Sequence, residues 1–262
     1  MIELNKIYNE NCMYGMERIP DGSVDMVLCD MPYGTTQLPW DKTLDLAAVF
    51  NHYWRVLKPN GLAVLFSSQP FTTDLINASR KEFKYEIIWD KVTKTNFYDA
   101  KRRPMKSHEN ILVFYRKQPT YNPQLYSIGI GGKLRERKNS NMKRTSGNFV
   151  GKVSEKSAEE YRYIDNGNRY PGTIITISNW NGALFGNTDN VAKHPTQKPV
   201  ALCEWLIKSY TNEGDTVLDN CMGSGTTAVA CINTRRNFIG FEIYEGYYDV
   251  SCQRIADALN KR

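Results

Sequence analysis

GDTVLDNCMGSGTTAVACINTRRNFIGFE, residues 214–242, is the stretch that decides the fold. TVLD at 216–219 and NFIGFE at 237–242 are short apolar runs that each end on an acid, and the segment between them at 226–234 has helical character. Strand, glycine loop, helix and strand in that order predict a parallel α/β unit. Gly223 and Gly225 let the backbone turn tightly and approach a ligand without Cβ interference, and the helix start presents unpaired N–H groups. Glu242, 17 residues beyond Gly225, stands where a second-strand carboxylate accepts hydrogen bonds from ribose hydroxyls. The unit therefore suits an adenosine-containing cofactor. A GxG turn by itself is as often an ordinary strand-to-helix turn, and Asp219 helps to separate the readings. A dinucleotide pyrophosphate would face that carboxylate unfavourably, whereas the amino acid end of S-adenosylmethionine would not.

The same alternation extends upstream. VDMVLC at 24–29 predicts a strand, 44–57 a helix, LAVLF at 62–66 a strand and 71–80 a helix, with KPNG at 58–61 as helix stop and turn. YEIIW at 85–89, NILVFY at 110–115 and TIITIS at 173–178 predict further strands of the same sheet, the proline-led segment 199–211 a helix, and the C-terminus a last helix. After Gln118 the chain is too polar and glycine-rich for more sheet, which predicts an insertion with mobile parts. From Lys133 to Arg169 it carries ten Lys/Arg against five acids, nearly the whole of the formal net charge of +6. A charge run is usually a solvated surface.

The strand at 24–29 delivers Asp30, Met31, Pro32 and Tyr33 at its tip. DMPY resembles the [D/N/S]-P-P-[Y/F/W] motif of the amino-group DNA methyltransferases, and D-x-x-x-G-S-G-T-T from Asp219 to Thr227 resembles their motif I. The chemistry accounts for the residue types. The lone pair of adenine N6 is delocalised into the ring, so the nitrogen is a poor nucleophile until acceptors draw its protons out of plane. The resemblance implies Asp30 and the backbone carbonyl of Met31 as those acceptors, with Pro32 shaping the turn and Tyr33 stacking on a flipped base. Met31 replaces a proline, a change compatible with a role through the carbonyl.

The motif order, catalytic first and cofactor loop last, resembles the β group of that family, with phage-like adenine enzymes the nearest subgroup. It implies an α/β fold of the circularly permuted Rossmann-like S-adenosylmethionine-dependent methyltransferase type, a mostly parallel sheet with helices on both faces, and an inserted basic recognition region. The expected division is 1–117 as catalytic half, 118–172 as recognition region and 173–262 as cofactor half. KHPTQKPVAL at 193–202 resembles motif X, bringing Thr196 and Lys198 to the cofactor. With them the resemblance implies Asn11, Cys12, Asp30, Asp219, Gly223, Ser224, Gly225, Thr226, Thr227 and Glu242 as cofactor-binding residues. Lys94, Lys101, Arg102, Arg103, Lys133, Arg135, Arg137, Lys138, Lys143 and Arg144 are the expected DNA contacts. DNA is the implied partner, single- or double-stranded, and a homodimer is compatible with the group.

Composition bounds these expectations. A hydrophobic content of 41% and a charged content of 24% are ordinary for a globular chain, and no apolar run approaches a membrane span. The N-terminus has no secretory pattern, so the expected location is cytoplasmic with reduced cysteines. Six scattered cysteines without a CxxC pair, and three distant histidines, predict no metal site. Three alternatives stay open at this point: cytosine-N4 methylation, a nicotinamide-dependent oxidoreductase, and a catalytically silent DNA-binding protein.

Overall fold

The computed structural model describes residues 2–34, 43–95, 97–127, 167–179 and 197–261, with the backbone of 133–136 and 162–165. The first half of the chain runs β1 (Lys6–Tyr8), α1 (Cys12–Glu17), β2 (Val24–Cys29), α2 (Leu46–Val56), β3 (Leu57–Ser67), α3 (Phe71–Ala78), β4 (Phe83–Thr95) and β5 (Lys106–Tyr115). Then come β6 (Tyr126–Ser127), β7 (Lys133–Glu136), β8 (Arg162–Asp165), β9 (Asn168–Arg169) and β10 (Ile174–Thr176). The remainder is α4 (Val200–Tyr210), β11 (Thr216–Asp219), α5 (Thr226–Thr234), β12 (Asn237–Phe241) and α6 (Glu245–Asn260).

Eight strands form one sheet in the order β1-β12-β11-β2-β3-β5-β4-β10. Only β5 runs against the rest, pairing antiparallel with β3 and β4. The mostly parallel α/β architecture expected from the alternation is present. At its centre β2 and β11 lie side by side, Met26 opposite Val217 and Val27 opposite Leu218, although they come from opposite ends of the chain. That adjacency is the structural form of the permuted motif order.

Strand alternation explains why helices cover both faces. Met26 and Leu28 of β2 pack with Leu202, Leu206 and Ile207 of α4 and Ala228 and Ile232 of α5. Val27 and Cys29 pack oppositely, with Met16 of α1, Val49, Phe50 and Tyr53 of α2, and Phe71 and Leu75 of α3. Each fully buried aliphatic or aromatic side chain contributes roughly 1.5–3 kcal/mol. Asp45 starts α2 by accepting from the Ala47 and Ala48 amides at 3.0 and 3.2 Å.

Three expectations are corrected. KPNG does not separate α2 from the next strand: β3 begins at Leu57 and carries residues 58–61 as a register break opposite Asp25, whose carboxylate takes Lys58 Nζ at 2.7 and 2.9 Å. The segment read as having no sheet holds two short antiparallel ladders of its own, β6 with β9 and β7 with β8. Mobile parts were expected in this insertion, of which residues 128–132, 137–161 and 166 lie outside the described residues. The N-terminal elements β1 and α1 were not predicted; β1 is a three-residue edge strand beside β12, too short for a periodic signal.

The chain divides into two compact units, 1–124 with 172–262, and 125–171. Residues just after Gln118 stay with the first: Asn122 N donates to Ser209 O at 2.7 Å and the Tyr121 ring lies 5.9 Å from that of Tyr210. Among the described residues no helix is long and apolar enough to cross a membrane.

Candidate active site

Because β2 and β11 are parallel neighbours, the turn after Cys29 and the loop after Asp219 leave the same edge of the sheet. Parallel sheets bind ligands at such carboxyl edges. In the first turn, Asp30 Oδ1 accepts from Tyr33 OH at 2.7 Å and Oδ2 accepts from Lys198 Nζ. Burial raises the Asp30 carboxyl above the usual range and Lys198 pulls it back. Met31 turns its side chain into the core, 2% exposed, with Sδ 3.7 Å from Tyr53 OH. Pro32 is half-buried, and the Tyr33 ring stacks on Phe71 with centroids 5.2 Å apart and planes at 25°.

The second loop is held by its own acids. Asp219 Oδ1 accepts from Cys221 N at 3.0 Å and Oδ2 from Thr227 Oγ1 at 2.6 Å, while burial carries its pKa up to about 6. Glu242 accepts from Gly223 N at 2.7 Å and Tyr244 N at 2.8 Å, tying the end of β12 to the loop. Gly225 has φ +80°, and a Cβ there would meet Ser251 Cβ at 2.9 Å, so glycine is required on both counts. Gly223, at φ +54°, has open space where its Cβ would stand. Arg254 from α6 braces the loop through Ser224 O at 2.6 Å, Ser224 Oγ at 2.9 Å and Thr226 Oγ1 at 3.1 Å.

Asn11 caps α1 by accepting from Met13 N at 2.9 Å. Cys12 is buried, 3.7 Å from Asn220 Nδ2, and so borders the glycine loop. Lys94 is exposed near the end of β4, and Lys101, Arg102 and Arg103 are exposed on the connection from β4 to β5, with Arg103 paired to Asp99. Lys133 and Arg135 lie on β7; Thr196, Arg137, Lys138, Lys143 and Arg144 fall outside the described residues. Among the described residues no group of three or more His, Cys, Asp or Glu could hold a metal ion.

Sequence reasoning missed three contributors. Glu109 of β5 lies 3.4 Å from Lys198 Nζ, and Lys91 of β4 lies 3.1 Å from Glu109. Lys91 sits in no recognisable motif, and Glu109 lies in AKRRPMKSHENILVF, 100–114, which resembles late core motifs of the family without implying a role for any one residue. Tyr53 of α2 donates to Asn220 Oδ1 at 2.5 Å, joining the helix under the Asp30 turn to the glycine loop. Tyr53→Phe strands that buried oxygen, and an unfolding titration should show a loss of about 1–3 kcal/mol. Unchanged stability would deny that bond a role in holding the two loops together.

The profile of the DNA methylase family, covering N6 and N4 enzymes, matches residues 24–253. The chain is 27% identical over 270 residues to the type II methyltransferase M.HpaI of Haemophilus parainfluenzae, covering 95% of this chain and 74% of that one. It is 26% identical over 268 residues to the DNA adenine methyltransferase YhdJ of Escherichia coli, covering 97% and 83%. The crystal structure of the M1.HpyAVI–S-adenosylmethionine complex superposes with a TM-score of 0.63 at 25% identity, covering 95% of this chain and 98% of that chain. Two motif-bearing loops at one sheet edge, on this fold and with these relatives, make the chain a member of the DNA methylase family, an S-adenosylmethionine-dependent DNA methyltransferase.

Proposed function

We propose that the protein methylates the N6 amino nitrogen of an adenine turned out of DNA, with Asp30 accepting a hydrogen bond from that nitrogen. The observation that carries this reading is the exit of the Asp30 turn and the Gly223–Gly225 loop from adjacent strands at one edge. A carboxylate has about four lone-pair sites, so Asp30 keeps acceptor capacity beside its bonds to Tyr33 and Lys198. The buried Met31 side chain leaves the backbone carbonyl as what that residue offers the second proton. The Tyr33 ring supplies a flat apolar surface for the base.

S-adenosylmethionine supplies an electrophilic methyl carbon on a sulfonium. Gly223 leaves room for a ligand, α5 begins without a side-chain cap, and Asp219 is a carboxylate suited to a cationic group. Glu242, Ser224, Thr226 and Thr227 brace that loop and Cys12 borders it; Asn11, the cap of α1, is assigned to the cofactor with them. Transfer would form the N6–carbon bond as the sulfur–carbon bond breaks, leaving a neutral thioether and one surplus N6 proton that would pass to solvent. The protein's part is to hold the base and orient the nitrogen in line.

Lys94, Lys101, Arg102 and Arg103, with the basic stretch within 118–172, are assigned to DNA phosphates. The halves 1–117 and 173–262 carry base and donor respectively, in a cytoplasmic enzyme for which a homodimer is compatible. An aspartate at the first motif position and the adenine enzyme of E. coli among the relatives favour adenine over cytosine. Methylating unmodified DNA and digesting it to nucleosides tests this by mass spectrometry. N6-methyldeoxyadenosine is the expected product; N4-methyldeoxycytidine would change the base, and no methylated nucleoside would end the proposal.

A further inference from the structure

The resemblance assigns Lys198 to the cofactor; in the structure its ammonium is engaged by two carboxylates. The side chain is 8% exposed and its Nζ bonds Asp30 Oδ2 while lying 3.4 Å from Glu109 Oε2. Glu109 Oε1 in turn takes Lys91 Nζ at 3.1 Å, and that lysine side chain is 6% exposed. Lys91, Glu109, Lys198 and Asp30 thus form a row of alternating charges running from β4 through β5 and the lead into α4 to the tip of β2. Buried ion pairs contribute little to stability relative to apolar replacements. A four-membered row ending on the carboxylate proposed for catalysis calls for another account.

We propose that Lys198 is a positioning residue for methyl transfer, holding the Asp30 carboxylate in place, with Glu109 and Lys91 fixing Lys198. The inference rests on the proposed role of Asp30. A protonated Asp30 would offer the substrate amine a hydroxyl instead of an acceptor. Burial favours that protonated form, and the ammonium opposes it. Lys198 is itself under pressure to lose its proton in the same surroundings; Asp30 and Glu109 outweigh that and carry it up to about 12. Burial also works against the Glu109 charge, which Lys198 and Lys91 sustain. Glu109 Oε2 has no hydrogen-bond partner among the described residues, so its charge is committed to the lysine facing it.

The other titratable groups acting on Asp30 do not duplicate this cation. Tyr33 donates to it from the same turn. Cys29 of β2 and Asp219 of β11 are neutral or anionic neighbours. Lys106 acts on Glu109 and bonds Ser68.

The test is the pH dependence of kcat at saturating donor and DNA, which removes effects on donor binding. In Lys198→Met, and in Lys198→Gln should the first not fold, the acid limb should move up by about one to three pH units. Activity would then be lost at the acid end of the range and recovered as pH rises, because the uncompensated carboxyl holds its proton longer. Lys198→Arg should return the limb toward wild type, because guanidinium stays charged. Glu109→Gln should lower kcat without raising the limb, since it loosens Lys198 while removing a negative neighbour of Asp30. Calorimetric affinity for S-adenosylmethionine should stay within about threefold throughout. An equal loss of kcat at every pH, or a donor affinity falling in step with activity, overturns the proposal; the second outcome would return Lys198 to the cofactor. Asp30→Ala run alongside separates the two readings: turnover retained there overturns the role of Asp30 itself, whatever Lys198 does.

Discussion

Asp30→Ala is expected to lower kcat by about a thousandfold while S-adenosylmethionine binds within about threefold of wild type. The size follows from preorganised hydrogen-bonding groups at a reacting centre, where removing one costs roughly 10²–10³ in rate. Here the loss is compounded, because no other described carboxylate stands at the tip of β2 to take its place. The specificity follows from geometry: the glycine loop is held by Asp219, Glu242 and Arg254, none of which bonds Asp30. Removing Asp30 also strands Lys198, so stability should fall, but the 3.4 Å contact with Glu109 remains and Asp30 is 26% exposed. The loss should therefore lie toward or below the low end of the roughly 3–5 kcal/mol seen for breaking buried pairs. Labelled-donor turnover and calorimetry measure the two halves of this expectation separately. Turnover within tenfold of wild type would sink the assignment of Asp30 as the acceptor, and lost donor binding would move the residue to the cofactor.

What made this site readable was local. TVLD, VDMVLC and NFIGFE are short apolar runs whose ends coincide with chemistry-bearing residues, so strand and site were legible together. The permuted motif order was legible in the sequence, and the structure adds its spatial form, β2 beside β11 with Val27 against Leu218. The positive φ at Gly223 and Gly225 likewise matches the turn their spacing demanded.

What escaped was pairwise and long-range. Lys198 lies in a recognisable segment, yet its partner could not be read there, because Asp30 and Glu109 arrive from strands distant in sequence. Glu109 sits at the polar end of β5, ahead of the buried apolar run Ile111–Phe114, and nothing in that pattern marks it as an ion-pair partner. Tyr53 reads as a core aromatic of an amphipathic helix, and nothing in its spacing signals a bond to Asn220. The small ladders of 125–171 were missed because strands of two to four residues carry no usable period.

Asp219→Asn should make the free protein more stable at neutral pH and bind S-adenosylmethionine at least about tenfold more weakly. An ordinary carboxyl of pKa 3.8 is carried up to about 6 in the fold, chiefly by burial, so the folded chain holds this proton more tightly than the unfolded one. Stability from this group is therefore greatest below the unfolded value and is lost as pH rises through about 6. At pH 7.5 the charged form is destabilising by roughly 2–3 kcal/mol. Asparagine keeps the shape and an acceptor for Cys221 N, and Thr227 can reverse its hydroxyl to accept from the new amide, so the loop keeps its bonds without the charge. Melting curves should then show the variant ahead of wild type by several degrees at pH 7.5, with the gap narrowing as pH falls and closing only below the unfolded value of 3.8. A residue retained against stability in this way belongs to function, and the function proposed for Asp219 is to face the cationic end of the donor. The two measurements constrain each other. A variant that gains stability and keeps full donor affinity would show the charge to be dispensable there, and would pass the recognition of the donor to Glu242 and the uncapped start of α5.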